Sequence, residues 1–167
     1  MRGADALGLE APHHHGNLDI QGCGISAMLV VKKPLQPNAA RELLGRLVAE
    51  IASKGMSRGA LAVGHVKAIL KAGSEFLHAD TIGVKYGANT AGELRSPITR
   101  AELTVNAIMV GLPETVIEEL TIKAIRGLFE SHGAMVALEV TKHDDGAPHA
   151  HGSCPGPFGP SSHSDGK

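Results

Sequence analysis

The sequence predicts an α+β domain, a ferredoxin-like split βαβ sandwich in the order β-α-β-β-β-α-β, with an antiparallel sheet and two helices on one face. Three observations lead there. Two segments carry apolar residues at helical spacing, and the segments around them alternate with a period of two. The core must also be aliphatic, because hydrophobic residues make up 43% of the 167 residues and aromatics only 2%, with no Trp.

Taken in order, "SAMLVVKK" (26–33) is a short apolar run ended by Pro34, hence a strand. In "PNAARELLGRLVAEIASKG", Ala40, Leu43, Leu44, Leu47, Val48 and Ile51 form one stripe of a helix. Pro37 suits its first turn and Gly55 the position just past its end. "GALAVGHVKAILKAGSEFLHADTIGV" (59–84) reads as two strands around a turn at Ala72-Gly73. Residues 85–97 form the longest internal loop.

"ITRAELTVNAIMVGL" (98–112) sends Leu103, Val105, Ala107 and Met109 to one side and Glu102, Thr104 and Asn106 to the other, a strand with one wet face. "PETVIEELTIKAIRGLFESHG" (113–133) is a second helix, opened by Pro113 and acidic residues and closed by Gly133. "AMVALEVT" (134–141) is the last strand. The second helix is apolar beyond one stripe, with Ile122, Ile125 and Phe129 widening Val116, Ile117, Leu120, Ala124 and Leu128. That width implies a deeper core or a self-association face, hence a possible homo-oligomer. His132 at the helix end is expected to serve as a favourable terminal charge.

Composition divides the chain into a flexible flank (1–24), the domain (25–142) and a His/Gly/Pro/Ser-rich tail (143–167). The tail holds one large apolar residue, Phe158, too little burial to offset its ordering entropy. A formal net charge of −1, and no basic run interleaved with aromatics, speak against nucleic acid as a partner. Neither a signal-peptide pattern nor an apolar run of membrane-spanning length is present, and two Cys make no disulfide framework. A reducing cytoplasm is the simplest expectation. No phosphate-cradling G-x-x-x-x-G-K-[ST] loop, G-x-S-x-G, H-E-x-x-H or C-x-x-C occurs.

Ten His is the count that stands out. His143, His149, His151 and Cys154 crowd the start of the tail, and His13, His14, His15 and Cys23 repeat the theme near the N-terminus. Imidazole with thiolate suits Zn, Ni, Co or Cu rather than Mg or Ca. Neither flank has the spacing of a closed structural zinc site. A low-complexity segment without metal is the alternative.

A second constellation lies on the sheet. With Ala72-Gly73 as the turn, Lys67 falls opposite His78 and His65 opposite Asp80, all four on one face. A His beside a carboxylate can be a general base or half of a metal site. Ordinary solvent-facing side chains are the alternative, and a one-residue slip would reverse every assignment.

"GHVKAIL" (64–70), the hairpin, "RAELTVNAIMVGL" (100–112) and "PETVIEEL" resemble the small α+β domain that accompanies CobW-type metallochaperone GTPases. The resemblance covers about half the chain and implies metal handling beside a metalloenzyme-maturation protein. The GTPase half, its phosphate loop and its cysteine motif are absent, so it implies no GTP hydrolysis. The leading expectation is therefore a small accessory protein that binds or stores a transition metal. A ligand-binding domain or acid–base enzyme at His65 and Asp80, and a self-assembling module, are the alternatives.

Overall fold

The computed structural model describes residues 19–141, a six-stranded antiparallel sheet with two helices. The elements are β1 (Ile20–Leu35), α1 (Pro37–Ser57), β2 (Ala62–Ala72), β3 (Glu75–Thr81), a 3₁₀ turn (Val84–Tyr86), β4 (Asn89–Glu93), β5 (Ile98–Val110), α2 (Glu114–Ser131) and β6 (Ala134–Thr141). The sheet order is β4-β3-β2-β5-β1-β6.

Two crossovers organise this order. α1 links β1 to β2, which run parallel with β5 antiparallel between them; α2 links β5 to β6, with β1 between them. The order is not that of a plain four-stranded ferredoxin-like sheet, because β3 and β4 extend it beyond β2. β4 was expected to be loop. "NTAGE" carries no apolar alternation, and only its ladder with β3 makes it a strand. Arg41 of α1 donates to the Gly92 carbonyl at 2.6 Å and ties this edge to the helix layer.

One sheet face is buried and one is open. The odd residues of β1, from Cys23 to Val31, pack against the helices with Val66, Ala68 and Leu70 of β2 and Leu103, Val105, Ala107 and Met109 of β5. The α1 stripe of Ala40, Leu43, Leu44, Leu47, Val48 and Ile51 closes the core above them, each residue at most 2% exposed. Burying an aliphatic side chain contributes about 1.5–3 kcal/mol, so this continuous layer dominates the fold.

Three further details depart from the sequence reading. α1 continues through Gly55 to Ser57, because Gly55 is a contact residue and not a cap: a Cβ there would collide with the Met109 side chain. α2 ends as expected, with Gly133 at φ +77° and its N–H donating to Glu130. The width of α2 belongs to the core, with Ile125 and Phe129 at most 1% exposed and Ile122 packed against it. β1 starts at Ile20, so residues 20–24 lie in the sheet and not in a flank.

The hairpin register is the third departure. Ala72 pairs with Glu75, so the turn is Gly73-Ser74 and not Ala72-Gly73. Gly73 has φ +61°, as a two-residue turn with Gly first requires, and among the described residues none other than Gly has positive φ. Sliding the turn by one residue moves each partner by two. The faces survive, and the pairs change.

Candidate functional site on the open sheet face

The open face is a grid of side chains whose rows run across the strands. Asn89 (β4), Asp80 (β3), Lys67 (β2), Asn106 (β5) and Gly24 (β1) form one row. Ala91, His78, Ile69, Thr104, Ser26 and Glu139 form the next. Beyond them, Phe76, Lys71, Glu102, Met28 and Ala137 make a third.

His65, Lys67, His78 and Asp80 do share this face. Asp80 lies opposite Lys67, and not opposite His65 as expected, while His78 lies opposite Ile69 and not opposite Lys67. Asp80 is therefore met from three sides. Lys67 faces it across the ladder, Asn89 Nδ2 donates to its Oδ1 at 3.3 Å, and His78 Nε2 stands 4.0 Å from the same oxygen. These groups remain in contact with solvent, so the charges are balanced locally without a strong pair.

His65 lies one row beyond Lys67, away from Asp80, and a β-bulge adjoins it. Val63 pairs with Met109 and His65 with Ile108, leaving Gly64 as the extra residue. The bulge lets Val63 pack against the core while His65, two residues on, turns to the open face. His65 then shares a row with Ile108 and Gly22.

Here the sheet carries a groove of about 710 Å³, lined by Ile20, Gln21, Gly22, Cys23, His65, Lys67, Asn106, Ile108 and Glu114. Gly22 is held to glycine by close packing, since a Cβ would come within 2.9 Å of the Ala107 carbonyl oxygen and 3.1 Å of Ile108 Cγ1. Lys67, His65, Asn106 and Gln21 supply polar groups, and Ile20 and Ile108 an apolar floor. With Glu114 among them, polar side chains outnumber the apolar ones, so the groove is more polar than a usual small-ligand site and suits a polar ligand.

Cys23 turns the other way. It is 6% exposed on the helix side, and its Sγ–H donates to Thr121 Oγ1 at 3.8 Å. Burial pushes the thiol pKa up, helped by the Glu118 and Glu114 carboxylates and opposed by the Thr121 hydrogen bond. A thiol held neutral is a poor metal ligand. Cys23 therefore lies within β1, while His13, His14 and His15, the rest of the N-terminal set, lie outside the described residues.

His13, His14, His15, His143, His149, His151 and Cys154 lie outside the described residues. Among the described residues, no group of three or more His, Cys, Asp or Glu is arranged to hold a metal ion, and no helix is long and apolar enough to cross a membrane. His132 is the C-terminal cap residue of α2, its Nδ1 lying 2.8 Å from the Leu128 carbonyl.

Sequence reasoning missed Asn89, Gln21, Gly22 and Glu114. Gly22 and Gly24, two residues apart before a strand, were a usable signal of a notch. Asn89 offered none, since it sits in a segment without strand pattern. No protein-family model, curated protein or solved structure matches the chain.

Proposed function

We propose that this chain is a small accessory protein that binds a late first-row transition metal, Zn, Ni or Co, through its two His-bearing flanks, for storage or transfer. One observation carries the reading. Gly24 of β1 pairs with Thr141 at the end of β6, so the two flanks leave the domain at one corner of the sheet, on strands about 4.8 Å apart. His15 stands five residues before Ile20 and His143 two after Thr141. At roughly 3.3–3.6 Å per residue, ligands more than 120 positions apart in sequence can reach one ion.

Ligands drawn from two chain segments make an exchangeable site, in keeping with storage or delivery. The two interleaved crossovers support treating the domain as an extended ferredoxin-like sandwich, and with it the kinship to domains beside CobW-type GTPases. A metalloenzyme-maturation protein is the corresponding partner. Calorimetric titration with Ni²⁺ or Zn²⁺ tests the proposal. The intact chain should bind more metal than a chain ending at Thr141, and equal stoichiometry would overturn it.

The groove beside His65 favours a second reading, a small-ligand site built on His65, Lys67 and Asn106. Localised amide shifts at these three residues in a metabolite screen would support it.

A further inference from the structure

The open sheet face carries large apolar side chains as well as polar ones. Among the described residues both helices pack on the opposite face. Ile69, Phe76, Val30 and Met135 are exposed on the open side, with Met28 half-buried among them. Apolar side chains gathered on one flat surface mark an interaction face. Its extent suits a protein partner. Strands of 16, 11, 7, 5, 13 and 8 residues, about 4.8 Å apart with a rise of about 3.3 Å, make a face of roughly 950 Å². A standard interface takes about 800 Å² from each partner.

The order of charges across the strands identifies that partner. Phe76, Lys71, Glu102 and Met28 form one row, which reads apolar, basic, acidic, apolar. Reversed, the row is its own complement. The centre of the sheet lies between Lys71 and Glu102, with β4, β3 and β2 on one side and β5, β1 and β6 on the other.

We infer that the open face is the interface of a two-fold dimer, in which a second copy of the chain packs sheet on sheet. The axis runs along the strands at the sheet centre, midway between copies about 10 Å apart. β2 of one copy then lies over β5 of the other, β3 over β1 and β4 over β6. Phe76 meets Met28 of the other copy, a thioether against an aromatic ring, and Lys71 meets its Glu102. In the adjoining row Ile69 faces Thr104 and His78 faces Ser26; in the next, Lys67 faces Asn106 and Asp80 faces Gly24. No like charges meet in these three rows. Lys71 and Glu102 also lie side by side within each copy, so the two pairs make an alternating square of four charges at the centre. A two-fold across the strands at the Ile69 row would instead lay β2 on itself, Lys67 against Lys71. Aligned sheets cross at about 30°, which displaces the rim more than the contacts beside the axis. The dimer uses neither His-bearing flank, so it goes beyond the proposed function and can fail separately from it.

Sedimentation of the full chain in EDTA, where metal cannot bridge copies, tests the inference. The native chain should sediment as a dimer at tens of micromolar. Lys71→Glu and Glu102→Lys, both at exposed positions, should keep the native thermal transition and each associate at least about tenfold more weakly. Phe76→Ser should weaken association as well. An equal mixture of the two charge variants should recover the dimer, because Glu at position 71 of one copy then meets Lys at position 102 of the other, and Glu102 meets Lys71. A monomeric native chain, whether its sheet face is bare or covered by a flank, would overturn the inference. Single variants that associate like the native chain, or a mixture that stays monomeric, would do the same.

Discussion

Cys23 shows how one residue's surroundings decide its chemistry. In the unfolded chain its thiol ionises near 9.0, while in the fold burial raises that value. Between the two, the unfolded state has lost a proton that the native state keeps, so stability present below 9.0 is lost as pH rises above it. The midpoint of urea unfolding should fall between pH 8 and pH 10, and fall less in Cys23→Ala. The same burial predicts slow reaction of Cys23 with a disulfide reagent until the protein is unfolded. Asp80 offers a second check at this scale. With Lys67, Asn89 and His78 around it, Asp80→Asn should shift their NMR resonances and leave those of His65 unmoved. A response at His65 would mean the pairing is wrong.

Among the elements, α2 was the ambiguous one, since its apolar surface exceeds a single stripe. Its place over β1 and β6, alongside α1, uses both sides of that surface. Ile125 is fully buried and Ile122 only partly so. Ile125→Lys should therefore abolish the cooperative thermal transition, because an unpaired buried charge costs about 4 kcal/mol or more. Ile122→Lys should fold, with a loss of about 1–2 kcal/mol. Comparable stability of the two variants would show that the helix is rotated from the position described. The periodicity of α1 and β5 was fully legible, since each has one face to bury. The start of β1 was obscured by Gly22 and Gly24, which blanked the outward half of its alternation. The odd-numbered apolar series from Cys23 to Val31 was still there to be read.

For the whole molecule, the decisive fact is that β1 and β6 are neighbours running in opposite directions. If the two flanks share an ion, deleting either one should weaken Ni²⁺ affinity more than independent sites would allow, and deleting both should add little further loss. Additive losses would point to two separate sites. Affinity should also rise with pH, as imidazoles and the Cys154 thiol must be deprotonated to bind.

The sequence by itself determined the α+β class, the buried stripes and the candidate ligands, because periodicity and residue chemistry are local properties. It also determined that His65, Lys67, His78 and Asp80 share a face, since a two-residue shift in pairing preserves alternation. Only the tertiary structure decided which of them meet. That depended on Gly73 taking the first turn position, a difference of backbone geometry that leaves the pattern of residue types unchanged. β4 likewise is a strand only through its ladder with β3, which the sheet in turn holds beside β2. Such non-local contacts have no counterpart in the order of residues along the chain.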